Sequence, residues 1–250
     1  HKAQALVYGY IYASQKKLSK IGIQMTYVTP EPETINKFLE EYTFERIEEW
    51  FNKLITGFKR WTDYTFDERH KRTESIRELK FPYEYREGQK NLCVSVYRAI
   101  EDNTNLYIQA PTGVGKTLST VFPAVQALGQ QMSDKIFYLT SKTITRTVAE
   151  DTYAILRDNG LHMRTVTLTA KDKICPLDER NCNPVACPYA KGHFDRINDA
   201  VYDIITSQMV IGRDNVMEYA NRHNVCPFEM SLDVSYWCDG IICDYNYVFD

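Results

Sequence analysis

The sequence lacks any apolar run long enough to cross a bilayer, so we expect no membrane-spanning segment. It contains no internal repeat and no low-complexity tract, which excludes solenoid and repeat architectures from the expectation. The net charge of −3 shows no large excess of either sign, and it neither indicates nor excludes nucleic acid, because a basic groove can lie on an acidic protein. The 250 residues are 44% hydrophobic, enough for one large domain or two small ones.

The seven cysteines are too few and too irregular for a disulfide scaffold. Their number is odd, and the chain is far larger than the small secreted domains that depend on disulfides. We therefore expect a reduced, cytoplasmic setting.

The alternation of strand and helix patterns predicts an α/β fold with a parallel sheet. Near the N-terminus we predict a helix over residues 2–17, a strand over 21–29 and amphipathic helix, divided in two, over 32–79. An aromatic and apolar stripe on that helical region is expected to face the core: Trp50, Phe51, Leu54, Phe58 and Trp61.

From residue 81 onward, strand and helix patterns alternate at βαβ spacing. Helices are predicted over 87–100, 116–128 and 142–159, and a polar helical segment over 200–222. Short buried strands are predicted at these segments: 105–111 ("NLYIQAP"), 135–140 ("KIFYLT"), 163–170 ("MRTVTLTA") and 240–243 ("GIIC").

The segment "APTGVGKT" resembles the phosphate-binding loop G-x-x-x-x-G-K-[ST], with Ala110 at the first glycine. Gly113 and Gly115 allow the backbone N–H groups to converge on phosphate oxygens, and the following helix adds its positive N-terminal end. In this pattern Lys116 reaches the β- and γ-phosphates, and the Thr117 hydroxyl coordinates Mg²⁺. The loop residues Pro111, Thr112 and Val114 complete the predicted ATP site.

An acidic metal-holding residue on a neighbouring strand, which such an ATPase needs, is not evident in the sequence. The segment Asp67-Glu68-Arg69-His70 resembles an Asp-Glu-x-His box but lies in a charged helical run without a preceding apolar strand. We interpret it as a solvated helix face and expect the true acidic box beyond Asp250. The chain is accordingly expected to be part of a longer protein and to hydrolyse little ATP by itself.

Four cysteines form a candidate metal site: Cys175, Cys182, Cys187 and Cys226. Three of them precede proline, which stiffens the turn around a ligand, as in ferredoxin-type runs. Their spacing contains no C-x-x-C pair of the kind that zinc ribbons use, whereas the four irons of a cluster offer four separated corners. An iron–sulfur cluster is favoured over zinc, with unligated core thiols as the third possibility. Cys93, Cys238 and Cys243 are predicted to be buried thiols.

A phosphate loop followed by a four-cysteine insertion resembles the XPD and DinG group of superfamily 2 DNA helicases. The resemblance covers residues 81–250. "FPYEYREGQ" is similar to the family's adenine-recognising segment, which places Arg86 and Gln89 in that role. "FYLTSKTITR" is similar to the family's motif Ia, which implies contacts of Lys142, Thr143 and Arg146 with single-stranded DNA. "CDYNYVFD" is similar to the segment that precedes the family's Asp-Glu-x-His box.

The resemblance implies a bacterial, monomeric, ATP- and Mg²⁺-dependent 5′-to-3′ DNA helicase that acts on single-stranded and duplex DNA. It implies a RecA-like domain in residues 81–173 and 227–250, interrupted by a [4Fe–4S] insertion in 174–226, and a second RecA-like domain elsewhere in the protein. Two alternatives stay open: a P-loop ATPase with a structural zinc that does not act on DNA, and a binding module without catalytic competence.

Residues 1–80 carry a separate resemblance. "QALVY", Gln4 to Tyr8, is similar to the Q-x-x-x-Y helix of RecB-like nucleases, and a plain amphipathic helix is an equal alternative. This region is predicted to be mostly helical and to form the C-terminal part of such a nuclease-type domain.

Overall fold

A computed structural model describes residues 1–111, 113–141 and 143–249. The chain divides into two compact units, His1–Asp67 and Glu68–Asp250. The boundary falls within one long helix. Among the helices of the described residues, none combines the length and hydrophobicity that a bilayer-spanning segment needs.

The first unit contains a helix, a β-hairpin and the start of the long helix. Its elements are α1 (Lys2–Lys16), β1 (Lys20–Pro30), β2 (Glu33–Thr43) and the first part of α2 (Phe44–Glu78). The two strands are antiparallel, with Lys20 opposite Thr43 and Pro30 opposite Glu33. A small hydrophobic cluster joins these elements: Leu6, Ile23, Tyr42 and Ile47.

The prediction of helix over residues 33–43 is wrong, because this segment is the second strand of the hairpin. The adjacent apolar residues Phe38 and Leu39 gave the segment a helix-like pattern. In the structure they lie on opposite faces of the strand, since neighbouring side chains in a strand point to opposite sides. Hydrogen-bonded pairing with β1 along all of β2 outweighs the weak local preference of this segment for helix. The helix that follows is a single 35-residue element rather than two.

The aromatic stripe on α2 is only partly buried. Leu54 is 42% exposed and Phe58 is 61% exposed, so the prediction that the stripe faces the core is wrong for both. The hydrophobic cluster of this unit reaches Ile47 and Trp50, and Leu54 begins the next turn of the helix. Because α2 has 35 residues, it extends past the elements that cover its first turns, which are α1 and the hairpin.

The second unit is an α/β layer around a four-stranded parallel sheet, as the sequence predicted. Its helices are the end of α2, α3 (Gln89–Glu101), α4 (Lys116–Gly129), α5 (Thr143–Asp158), α6 (Lys171–Ile174), α7 (His193–Ser207), α8 (Arg213–His223), α9 (Pro227–Ser235) and α10 (Asn246–Phe249). Its strands are β3 (Ile136–Thr140), β4 (Thr165–Thr167), β5 (Val210–Ile211) and β6 (Gly240–Asp244).

The strand order of this sheet is β3-β6-β4-β5, and every neighbouring pair is parallel. Strand β6, the latest in sequence, lies in the centre, with Gly240 opposite both Ile136 and Thr165. One hydrophobic core packs α4 and α5 against β6, and its fully buried members include Val125, Tyr153 and Ile242. Parallel strands that are buried on both faces need apolar side chains throughout, which "GIIC" supplies.

Two predictions of secondary structure in this unit are wrong. Residues 105–110 form no strand, and Tyr107 is 92% exposed. A strand forms only where a neighbour pairs with its backbone, and no strand of the described residues pairs with this segment. The predicted helix over 200–222 is in fact two helices, α7 and α8, separated by β5.

The segment Asp67-Glu68-Arg69-His70 lies in α2, as predicted, but Glu68 is not a solvated residue. Its carboxylate accepts hydrogen bonds from His162 Nε2 at 2.9 Å, Arg164 Nη2 at 3.2 Å and Lys71 Nζ at 3.0 Å. The Arg164 side chain is buried, and its backbone precedes β4. Glu68 therefore belongs to a charged cluster at the N-terminal ends of the sheet strands.

Candidate functional site

The phosphate-binding loop adopts the backbone conformation that its glycines permit. Gly113 has φ +87° and Gly115 has φ +75°, both in the left-handed region that residues with a Cβ rarely occupy. Gly115 is the N-cap of α4, so the loop leads directly into the first turn of a helix. Its free N–H groups and positive dipole end make this helix start a ready anion site.

Helix α4 is held firmly behind the loop. Leu118, Val121 and Val125 are buried in the core of the second unit. Ser119 is fully buried, and its hydroxyl donates to the Gly115 carbonyl at 2.9 Å. The loop is therefore anchored at its C-terminal end by a packed helix.

Lys116 and Thr117 lie at the start of α4, in the positions the motif predicts. The exposed Lys116 ammonium donates to the carbonyls of Ala110 at 3.0 Å and Pro111 at 2.8 Å. The Thr117 hydroxyl lies 3.4 Å from the Tyr138 hydroxyl on β3. Sequence reasoning missed Tyr138, and only its position within a predicted strand could have drawn attention to it.

Arg86 and Gln89 lie against this loop. The Arg86 guanidinium donates to the Gly113 carbonyl, and the Arg86 backbone N–H donates to Gln89 Oε1 at 3.0 Å. Gln89 is buried, and its Nε2 would lie 2.7 Å from a Cβ added to Gly115. The first residues of α3 are thus packed directly under the phosphate loop.

An open pocket of about 700 Å³ lies between the start of α3 and the loop. Polar groups at its rim come from Arg86, Glu87 and Gln109, and apolar walls come from Leu92 and Ile108. The loop residues Ala110, Pro111, Gly113 and Val114 line its other side. A pocket with apolar walls and a few convergent polar groups next to an anion site suits a nucleotide base and its phosphates.

Several predicted site residues fall outside what the structure describes. These are Thr112 of the loop, Lys142 of motif Ia and the side chain of Thr143. Arg146 is described: it is half-buried on α5, and its Nε is buried with no hydrogen-bond partner among the described residues. Its charge acts on Cys243 and Tyr247, so it lies near the carboxyl end of β6.

The four candidate cysteine ligands line one small enclosed cavity of about 20 Å³. Cys187 is buried, Cys175 and Cys226 are half-buried, Cys182 is exposed, and all four are free thiols. Within the described residues, no three His, Cys, Asp or Glu side chains are placed to hold a metal ion. The residue types that line the cavity fit a thiolate-bound group, but their present arrangement does not. The cavity has room for little more than one water molecule and would have to widen for such a group to bind.

Lys171 and Cys226 show how the cavity affects its charged and ionisable groups. Burial raises the pKa of Cys226. Burial lowers the pKa of Lys171, but its hydrogen bond with Cys182 and the nearby acidic groups outweigh this effect, so the net pKa is raised. Lys171 also lies 5.2 Å from the centre of the Phe228 ring, where a cation is attracted to the aromatic face.

The remaining cysteines are buried, as predicted. Cys93 is on α3, Cys238 precedes β6, and Cys243 lies within β6. Burial raises the pKa of Cys238 to about 12 and that of Cys243 to about 11. Thiols with such values stay protonated at neutral pH and are poor nucleophiles and poor metal ligands.

Two family models match the second unit. The DEAD/DEAH box helicase model matches residues 87–181, and the DEAD_2 model matches residues 140–250. Together they cover the phosphate loop, the sheet and all four cysteines.

Two curated relatives share shorter or weaker similarity. The chain is 49% identical over 47 residues to a protein named "Probable ATP-dependent helicase" from Methanocaldococcus jannaschii, which covers 18% of this chain and 7% of that protein. It is 20% identical over 227 residues to the regulator of telomere elongation helicase 1 homolog of Anopheles gambiae, over 69% of this chain and 23% of that protein. The chain thus spans less than a quarter of either relative's length.

A solved structure named XPD helicase is similar to 66% of this chain and 28% of its own, with 19% identity and a TM-score of 0.46. The two family models rest on sequence and agree with the parallel α/β fold of the second unit. By these two sequence matches, residues 87–250 are similar to the XPD/DinG-like group of the superfamily 2 helicases.

Proposed function

We propose that the protein is an ATP-dependent DNA helicase that moves 5′ to 3′ on single-stranded DNA and unwinds duplexes. The observation that carries the proposal is the convergence of Arg86, Gln89 and the phosphate loop on one pocket at the N-terminus of α4. The family models support helicase activity, and the polarity rests on the family resemblance.

In the proposed ATP site, the adenine lies in the pocket beside Arg86 and Gln89, and the phosphates lie on the loop from Ala110 to Thr117. Lys116 leaves the carbonyls of Ala110 and Pro111 to contact the β- and γ-phosphates. The Thr117 hydroxyl would hold Mg²⁺, which when bound would supply positive charge against the negative charge of the transferring phosphoryl group. The main task of the protein is to position and stabilise charge, since phosphoryl transfer needs little covalent help.

The DNA path is assigned to the surface that carries the start of α5. Lys142, Thr143 and Arg146 are the proposed phosphate contacts, because a row of basic and hydroxyl groups binds a DNA backbone without reading its sequence. In this division, residues 81–173 and 227–250 form a RecA-like domain and 174–226 form the cysteine-containing insertion. Residues 1–80 are proposed as a nuclease-related region, the last part of which, residues 68–80, belongs to the second compact unit.

The four cysteines are proposed to hold a [4Fe–4S] cluster. Their shared cavity and free thiols support the assignment. When bound, such a cluster would cross-link the segments that carry Cys175, Cys182, Cys187 and Cys226 through its four corners. The chain itself supplies the apolar walls of the cavity and the neighbouring cation Lys171.

The helicase proposal is tested with the full-length protein and its Lys116→Ala variant. We expect DNA to stimulate ATP hydrolysis by the wild type, and unwinding to require a 5′ single-stranded tail. Lys116→Ala should lose both activities, because the loop then lacks its cation for the phosphates. Lys53→Ala, which removes an exposed lysine paired with Glu49 on the same helix, serves as the matched control. Unwinding by the Lys116→Ala variant would overturn the phosphate-site assignment, and hydrolysis that DNA does not stimulate would favour an ATPase acting elsewhere.

The metal assignment is tested on protein purified without air. We expect about four irons and acid-labile sulfide per chain, with brown colour. Cys187→Ser should lose most of the iron, whereas Cys93→Ala should keep it. A colourless protein with one zinc ion per chain would replace the cluster with a structural zinc site.

A further inference from the structure

Two separate segments bring Cys187 and Cys226 to the cysteine cavity. The first segment carries Cys187 and ends at Gly192, where α7 begins. The second follows α8 and contains Asn224 and Val225 before Cys226, which is the N-cap of α9. Between these two cysteines stand 38 residues, so their separation depends on contacts between the segments.

Arg196, in the first turn of α7, joins these two segments through its guanidinium. Its Nη2 donates to the Lys191 carbonyl at 2.7 Å and to the Asn224 carbonyl at 2.7 Å. Its Nε donates to the His223 carbonyl at 3.1 Å and to the Asn224 carbonyl at 3.2 Å. A rigid planar fork of donors suits this bridge, because several carbonyls can be held in one fixed geometry.

The backbone around Arg196 is shaped to accept its side chain. Gly192 has φ +68°, and a Cβ at this position would lie 2.6 Å from Arg196 Nη1. Asn224 has φ +52° as the left-handed C-cap of α8, and its carbonyl accepts from two nitrogens of Arg196. On the same turn of α7, the buried His193 accepts the Cys226 backbone N–H at its Nδ1, at 3.3 Å.

We propose that Arg196 is a positioning residue for the four-cysteine site and sets the separation of Cys187 and Cys226 before a metal group binds. The proposal rests on the proposed function of these cysteines. Arg196 connects a carbonyl four residues after Cys187 to a carbonyl two residues before Cys226. Thiols held near their final places lose less conformational freedom when a metal group binds, so supporting hydrogen bonds raise retention of that group.

The first test measures the thiols without any metal. Apo chain is treated with iodoacetamide, and labelling of each cysteine is followed by peptide mass spectrometry in wild type, Arg196→Ala and Arg222→Ala. Arg222 is the matched control, since it lies near the second segment but its guanidinium bonds to Asp203 on α7 and Glu218 on α8. We expect Arg196→Ala to raise the labelling rate of Cys226 about tenfold, because local opening exposes the half-buried thiol. Arg222→Ala should label like wild type, and the fully buried Cys243 should stay unlabelled in all three.

The second test measures retention after reconstitution with ferrous iron and sulfide. Arg196→Ala should lose iron to a chelator several times faster than wild type and Arg222→Ala. Arg196→Lys keeps the charge but has a single donor nitrogen, so it should lose iron at a rate between those of wild type and Arg196→Ala. If the Arg196→Ala chain does not fold, the lysine variant replaces it in the test.

Unchanged Cys226 labelling in Arg196→Ala, or an equal rise in Arg222→Ala, would overturn the inference. Wild-type chain that takes up neither iron nor zinc would instead overturn the proposed cysteine site, and the inference with it. The two failures are distinguishable, because one concerns the variants and the other the wild type.

Discussion

At the scale of single residues, Gln89 links the two halves of the proposed nucleotide pocket. Its Oε1 accepts the Arg86 N–H, and its Nε2 lies against Gly115. Position 115 must therefore be glycine for two reasons: its φ of +75° and the nearby amide. Gly88 also has positive φ, at +73°, but a Cβ there would meet nothing within 4 Å. A comparison of substitutions at these two positions therefore distinguishes the energetic cost of a left-handed backbone from the cost of a steric clash with Gln89.

We expect Gly115→Ala to abolish nucleotide binding and Gly88→Ala to preserve it. Both changes place alanine in the left-handed region, at a cost of about 1 kcal/mol in free energy of unfolding. Only the alanine at 115 must also displace Gln89 or the loop. Binding of a fluorescent ATP analogue, together with thermal unfolding, measures the difference. Equal affinity in the two variants would show that Gln89 does not constrain the loop.

Glu68 provides a second prediction at this scale. Burial raises the pKa of its carboxyl, but hydrogen bonds from Lys71 and His162 and the charge of Arg164 outweigh this effect and hold the pKa below its usual value of 4.5. Because the folded-state pKa is depressed, the stabilisation is fully present above pH 4.5 and is lost as the pH falls through the lower folded value.

Glu68→Gln should therefore destabilise the protein by about 1–3 kcal/mol at pH 7, since Arg164 loses its charged partner. The difference between wild type and variant should shrink as the pH falls below 4.5. Urea unfolding followed by circular dichroism at several pH values measures this. Glu49→Gln is the control, because Glu49 is exposed and pairs with Lys53 on the same helix. A difference that stays constant from pH 7 to pH 3 would contradict the assignment of acid sensitivity to Glu68.

At the scale of elements, α2 and α4 pack closely at one point. Gly129, the last residue of α4, faces the buried Ile76 of α2, and a Cβ at 129 would lie 2.4 Å from Ile76 Cγ2 and 3.0 Å from its Cβ. These atoms are next to the backbone and cannot rotate far away, since a β-branched side chain is stiff. The two helices could not approach so closely with any other residue at 129.

Gly129→Ala should lower the free energy of unfolding by about 1–3 kcal/mol through overpacking. Gly57 lies on α2, the helix that carries Ile76, and a Cβ added at position 57 would meet nothing within 4 Å. Gly57→Ala should therefore raise the free energy of unfolding by about 0.5–1 kcal/mol. If the packing is as described, urea unfolding will show changes in the free energy of unfolding of opposite sign for the two variants. A Gly129→Ala protein as stable as wild type would mean that the helices separate at little cost.

Elements differed in how far the sequence predicted them. Helices α3, α4 and α5 and strands β3 and β6 fall where the patterns placed them, since each combines a clear period with a terminating glycine or polar turn. Strand β2 was missed because its apolar residues lie on both faces, so no period of two is visible. Residues 105–110 were predicted as a strand on local pattern alone, although strand formation depends on a pairing partner elsewhere in the chain.

At the scale of the whole molecule, the candidate sites were predictable where a motif fixes both residue type and spacing. The loop from Ala110 to Thr117 begins a helix as the motif requires, and Arg86 and Gln89 do reach it. The shared cavity of the four cysteines also follows the sequence grouping. Contacts of Tyr138 and Arg196 could not be foreseen, because they depend on the packing of elements that are distant in sequence.

The central position of β6 has a consequence for how the protein is made. Strands β3 and β4 do not pair with each other, and each pairs instead with β6, which begins 104 positions after the start of β3. A ribosome therefore releases β3, α5, β4 and the whole cysteine segment before the strand that unites them is available. During synthesis, the nascent chain would expose unpaired apolar strand edges for many seconds. We therefore expect chaperones to bind this segment of the nascent chain.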